Sequence, residues 1–107
     1  MNTYAKGYRN EKKAMAEFES RGFICHRAKI TRFNKNDFFE CFDFVAIKNY
    51  SPNYWVQVKS NRCPKKDKDM IAKFKNENFI GTKNVAVIMI WKDNKGWDRD
   101  ILTKLFG

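Results

Sequence analysis

An α/β fold, a mixed β-sheet with helices packed on it, is the architecture this sequence predicts, and three observations carry it. The N-terminal segment repeats its apolar residues at helical spacing. Three short runs rich in Phe, Val, Ile, Trp and Tyr follow, each bounded by turn residues. A second helical stretch then separates the third run from a fourth, VAVIMIW, which is apolar throughout. The predicted order is α-β-β-β-α-β-β. With 107 residues, the chain reads as one domain, residues 1–107, long enough to bury about two thirds of its unfolded surface.

The first helix is expected over Thr3 to Arg21, with Tyr4, Tyr8, Met15 and Phe18 facing inward and Gly22 as its stop. Phe23 to Ile30 then reads as a strand, and Thr31 to Glu40 as a polar loop. Cys41 to Lys48 is the second strand. Ser51-Pro52-Asn53 is a strong breaker, and Tyr54 to Ser60 forms the third strand. A basic segment, NRCPKKDKD, leads to a helix with Asp67 or Asp69 as its N-cap, running to about Phe79, with Met70, Ile71 and Phe74 on one face. Val85 to Trp91 is predicted as a central strand covered on both faces. Asp93-Asn94-Lys95-Gly96 should turn the chain into a last strand near Trp97 to Leu102.

Composition narrows the function. Twenty-two Lys and Arg against 12 Asp and Glu leave a net charge of +10, so nucleic acid is the first partner to consider, each neutralised phosphate releasing counterions. No basic amphipathic helix dominates the chain, which argues against a membrane-surface protein. The longest apolar run is far too short to span a bilayer, and no apolar N-terminal run resembles a signal peptide. Cys25, Cys41 and Cys63 are odd in number and lack C-x-x-C spacing, which argues against a disulfide framework or zinc ribbon and fits an intracellular, cytoplasmic location. The single histidine, His26, has no second His with which to build a metal site. Aromatic residues make up 16% of the chain, and in a small domain they belong mostly to the core, Tyr54, Trp55, Phe38 and Phe39 included.

Polar side chains interrupt two of the predicted strands. Asp43 stands among Phe42, Phe44, Val45 and Ile47, and Gln57 and Lys59 alternate with Val56 and Val58. Strand alternation projects Asp43 with Val45 and Ile47, and Gln57 and Lys59 with Trp55. Pairing through the Ser51-Pro52-Asn53 turn would bring these groups to one end of the sheet. Glu11 falls on the inward stripe Tyr8, Glu11, Met15, Phe18, which points a carboxylate at the same sheet. Each group alone has an ordinary explanation, such as a solvated strand face or an Arg partner. Their coincidence is better explained by a divalent cation, because Mg²⁺ takes hard oxygens and keeps several waters. Asp43 would be the principal ligand, Gln57 would offer its amide oxygen and Val58 its carbonyl, and Glu11 would bind directly or through water. Lys59 would orient or deprotonate the attacking water and stabilise charge on a phosphate.

The pattern Asp43-x13-Gln57-x-Lys59, preceded by a helical Glu11 in GYRNE, resembles the PD-(D/E)xK nuclease superfamily. Gly7, Arg9, Glu11, Gly22-Phe23 and Arg27 are similar to the corresponding arrangement in archaeal-type Holliday junction resolvases. Phe42 stands where the family pattern has proline. Gln57 replaces its acidic residue, as in nucleases similar to the Mrr group; the amide can ligate but adds no negative charge.

The resemblance implies a restriction-endonuclease-like mixed sheet flanked by helices and a metal-dependent DNA endonuclease using Mg²⁺ or Mn²⁺, with Glu11, Asp43, Gln57 and Lys59 catalytic. The implied substrate is branched DNA, a Holliday junction, cut by a homodimer; two alternatives are a related nuclease of duplex or flapped DNA and an inactive nucleic-acid-binding module. Arg9, Arg27, Arg32, Lys35, Arg62, Lys65 and Lys66 flank the proposed site and are the expected phosphate contacts.

Overall fold

The first helix, α1 (Thr3–Glu19), ends where the sequence requires it to. Gly22 takes φ +88°, its N–H donates to the Glu19 carbonyl at 3.1 Å, and the Phe23 N–H reaches back to the Phe18 carbonyl at 3.2 Å. The Phe18 and Phe23 rings meet edge-on at 5.3 Å, which supplies the apolar contact that accompanies this helix stop. The structure is a computed structural model describing residues 3–28, 41–81 and 83–106. The predicted loop from Thr31 to Glu40, with Phe38 and Phe39, lies outside those residues.

After α1 come β1 (Ile24–Arg27), β2 (Phe44–Ile47), β3 (Asn53–Ser60), α2 (Lys65–Asn78), β4 (Asn84–Lys92), β5 (Gly96–Trp97) and α3 (Arg99–Phe106). The strands form one sheet in the order β1-β2-β3-β4-β5. β1, β2 and β3 are antiparallel neighbours, with Arg27 opposite Phe44 and Phe44 opposite Val56. β3 and β4 run parallel from Asn53 opposite Asn84 to Ser60 opposite Trp91, and α2 makes the crossover that a parallel pair needs. The α/β class and the mixed sheet therefore stand as predicted.

Each face of the sheet has its own core. Ala14 and Phe18 of α1 pack on Phe44, Ala46, Val56, Val87 and Met89, with α3 completing that side through Ile101, Leu102, Leu105 and Phe106. On the other face Ile71 and Phe74 of α2 cover Cys41, Phe42, Trp55, Ala86 and Ile88. β4 is thus covered on both faces, as its uninterrupted apolar run predicts, but it is not the central strand that was expected: on its outer side β5 pairs with it only at Trp91 and Lys92. Trp55 settles in the second core with its indole N–H donating to Asn84 Oδ1 at 2.9 Å.

Several expectations are corrected. The last strand does not run from Trp97 to Leu102. The turn forms as expected, with Asn94 at φ +69° and Gly96 at φ +81°, but β5 pairs only Trp97 with Trp91 and Gly96 with Lys92. The chain then winds into α3, because Ile101, Leu102, Leu105 and Phe106 fall on one helical face that closes the first core. Neither Asp67 nor Asp69 caps α2. Pro64 does, without a side-chain bond, and its carbonyl accepts from Asp67 N at 3.0 Å and Lys68 N at 3.1 Å. Asp67 sits instead in the first turn, where a carboxylate complements the helix dipole. Met70 does not join Ile71 and Phe74 on the buried face; it is 37% exposed. β1 and β2 are also shorter than expected: Phe23 packs into the core ahead of β1, and Cys41 and Phe42 feed the second core before β2 begins.

Candidate active site

Three polar side chains are buried among the described residues: Asn10, Glu11 and Asp43, at 2%, 4% and 2% exposure. All three gather at one end of the sheet, where β1 and β3 finish and β2 starts. The antiparallel register dictates this, since Arg27 and Val56 both stand opposite Phe44.

Asp43 sits at the bend that enters β2. Its N–H donates to the Val56 carbonyl at 2.7 Å and its carbonyl accepts from Ala28 N at 2.9 Å. The side chain turns along β3, where Asp43 Oδ2 accepts the Val58 N–H at 2.8 Å. A charge-assisted bond of this length fixes the carboxylate at Val58, the residue between Gln57 and Lys59 in the chain. A strand residue's N–H and C=O lie on the same side of the strand, so the Val58 carbonyl opens on the side that carries Asp43. The sequence expectation put Asp43 within the strand; it stands one residue before it, in a position that still aims its carboxylate at β3.

Gln57 and Lys59 share the face covered by α2, as alternation requires. Lys59 Nζ meets Asp67 Oδ2 at 3.0 Å. Gln57 Oε1 is buried and has no hydrogen-bond partner among the described residues. A buried, unsatisfied amide oxygen costs about 1–3 kcal/mol, so its retention in a well-packed sheet is informative.

Glu11 and Asn10 approach from the α1 side. Asn10 Nδ2 donates to Ser60 Oγ at 2.7 Å, which ties the helix to the end of β3. Arg27 donates to Glu11 Oε2 at 3.1 Å, and its guanidinium lies over the Tyr8 ring at 4.2 Å. The predicted groups therefore come to the same end of the sheet from its two faces, with Asp43 between strands. Asn10 and Asp67 are partners that pattern reading missed. Asn10 belongs to the row Asn10, Ala14, Phe18, spaced four apart, and that regularity was the available signal.

The predicted phosphate contacts divide. Arg9, Arg62, Lys65 and Lys66 are exposed, and Lys65 has a loose partner in Asp69 at 3.8 Å. Arg27 faces inward onto Glu11. Arg32 and Lys35 lie outside the described residues.

Among the described residues no group of three or more His, Cys, Asp or Glu is placed to hold a metal ion. A cation here would rest on two carboxylates plus an amide and a backbone oxygen. The unpartnered Gln57 oxygen fits that donor set: hard, neutral, and aimed where nothing in the described chain satisfies it. The set suits a hydrated Mg²⁺ held by few protein charges.

Cys25 and Cys63 offer no competing nucleophile. Burial, reinforced by the negative charge of Glu19, pushes the Cys25 thiol up to about 11, and burial also raises Cys63. Both are protonated at neutral pH, whereas the thiolate is the reactive form. With iodoacetamide at pH 8, Cys25 should label far more slowly than a free thiol, accelerating only as pH nears 11. Rapid Cys25 labelling at pH 8, located by peptide mass spectrometry, would contradict this environment. The folded thiol holds its proton more tightly than the unfolded one, so its contribution to stability is complete below about pH 9 and is lost as pH rises toward 11.

No helix among the described residues is long and apolar enough to cross a membrane. In comparison with protein-family models, with curated proteins and with solved structures, nothing matches this chain.

Proposed function

We propose that this protein is a metal-dependent DNA endonuclease that hydrolyses phosphodiester bonds, with branched DNA of the Holliday-junction kind as substrate and a homodimer as the acting form. The observation that carries the proposal is the buried, unpartnered Gln57 oxygen, whose residue precedes the Val58 that holds the Asp43 carboxylate. Arg27 Nε is likewise buried without a hydrogen-bond partner among the described residues, but of the two only the Gln57 oxygen can ligate a cation. A net charge of +10 and the exposed Arg9, Arg62, Lys65 and Lys66 supply the counterpart for a phosphate backbone.

Asp43, Gln57 and the Val58 carbonyl would hold the cation, with Glu11 assisting from the α1 side. Bound there, Mg²⁺ supplies Lewis acidity and lowers the pKa of a coordinated water. Lys59 brings a positive charge two residues from Gln57 on the same strand face; released from Asp67 toward a phosphate, it would stabilise the charge that develops on the phosphoryl oxygens. Arg62, Lys65 and Lys66 follow β3 directly and would position the strand being cut. Symmetric cutting of two strands needs two such sites, which is why a two-fold dimer accompanies this reading.

The test is a cleavage assay with four-way, flapped and linear DNA, with and without Mg²⁺. Gln57 sharpens it. Gln57→Glu keeps an oxygen and adds charge, so half-maximal cleavage should need less Mg²⁺; Gln57→Ala removes the oxygen and should abolish cutting. An alanine variant with wild-type rate and Mg²⁺ dependence would remove Gln57 from the site. A preference for linear over four-way DNA would replace the junction with duplex as substrate.

One pair of contacts favours a second reading, a nucleic-acid-binding module without turnover. Glu11 and Lys59 are already engaged, by Arg27 at 3.1 Å and Asp67 at 3.0 Å. Salt-dependent DNA binding that is indifferent to Mg²⁺, with no cleavage of any of the three substrates, would establish it.

A further inference from the structure

We propose that the outer edge of β4 takes an extended acidic peptide as an added strand. β5 covers β4 only at Trp91 and Lys92. From Asn84 to Ile90 the side of β4 turned away from β3 has no strand partner among the described residues. Alternate residues of an edge strand present N–H and C=O groups outward, a ready template for another main chain.

This edge lies in a groove. A cavity of about 520 Å³ runs beside β4, walled by α2 and α3. Lys68, Ile71, Ala72 and Lys75 of α2 face it at helical spacing i, i+3, i+4, i+7, and Lys104 and Leu105 of α3 stand opposite. Its floor and walls are apolar and its charged lining residues are all lysines. Lys68, Lys75 and Lys104 are exposed, and none has an ion-pair partner among the described residues.

The chemistry selects the occupant. An extended peptide matches the open edge with its own donors and acceptors, and its two faces match the two walls: alternate apolar side chains lie on Ile101 and Leu105 of α3, and the carboxylates between them point to Lys68 and Lys75 of α2. A nucleic-acid strand fits less well, since phosphates offer no donors to β4 carbonyls and do not favour an apolar floor. The groove is separate from the proposed metal ligands, so the inference does not depend on nuclease activity.

The probe is a fluorescein-labelled peptide of about seven residues alternating valine and glutamate, titrated into the whole chain and read by anisotropy. Saturable binding is expected, weakened about tenfold or more by the K68E/K75E double substitution, whose sites are exposed helix positions that should leave folding intact. The same peptide N-methylated at alternate residues loses the donors on one edge and should bind at least tenfold more weakly. Amide exchange should slow at β4 when the unmodified peptide binds. Absence of binding, equal affinity for the N-methylated peptide, or indifference to K68E/K75E would overturn the proposal. So would β4 protection that depends on protein concentration without peptide, which assigns the edge to a second copy. Loss of duplex-DNA affinity in K68E/K75E with no peptide binding would give the face to nucleic acid.

Discussion

Asp43→Asn should lower DNA cleavage about a thousandfold or more while leaving DNA affinity within a few-fold of wild type. The asparagine still offers an oxygen to the Val58 N–H that Asp43 accepts at 2.8 Å, so the entry into β2 keeps its anchor. What disappears is the negative charge that a cation would need. Affinity rests on several exposed basic groups acting together, and no one of them is touched. Glu11→Gln and Lys59→Ala should also abolish cutting, each with its own effect on stability. Glu11→Gln weakens the partner of the half-buried Arg27 and should cost about 1–3 kcal/mol. Lys59→Ala breaks only a partly exposed pair with Asp67 and should cost about 1 kcal/mol or less. Single-turnover assays beside urea melts separate the two quantities. Cleavage at wild-type rates in all three variants would end the nuclease proposal.

Phe18→Ala should give the largest loss of stability, about 3–5 kcal/mol in urea unfolding. Phe18 is fully buried, and its ring meets Phe23, Phe44, Tyr54 and Phe106 at centroid distances of 5.3, 5.9, 5.6 and 5.1 Å. Those four partners come from the link after α1, from two strands and from the C-terminal helix, so truncation opens a cavity that no single element can close. Domains of this size are stable by only about 5–15 kcal/mol, and the variant should be partly unfolded near body temperature. Phe18→Leu keeps most of the volume and should lose less than half as much. A loss under about 1 kcal/mol for the alanine variant would mean that the α1 to sheet packing is not as described.

The element order was legible through Trp97 because each element carries its own local signal. The stop at Gly22, the breaker around Pro52 and the apolar run from Val85 to Trp91 depend on near neighbours in the chain. α3 was missed because a turn after a strand invites the continuation of a hairpin, and because the value of its apolar face depends on Phe18 and β3, which are distant in sequence. Pro64 as the cap of α2 was hidden for a different reason: two aspartates close by have better intrinsic capping ability, but one is drawn to Lys59. At the candidate site, Asp43, Gln57 and Lys59 stood out as polar residues in apolar strands. Asn10 did not, since a polar residue on a helix is unremarkable until the register of the whole helix against the sheet is known.

The strand order in the sheet is the strand order in the chain, and this bears on how the protein emerges from the ribosome. Each strand can add to the one synthesised just before it, so the sheet grows without waiting for distant sequence. α1 is the exception. Its anchor on β3, the Asn10 to Ser60 bond, joins residues 50 positions apart, and its principal ring, Phe18, also needs Phe106 of α3. The nascent helix therefore carries an uncovered apolar stripe until β3 and α3 have been made, an interval over which shielding by a chaperone would protect α1.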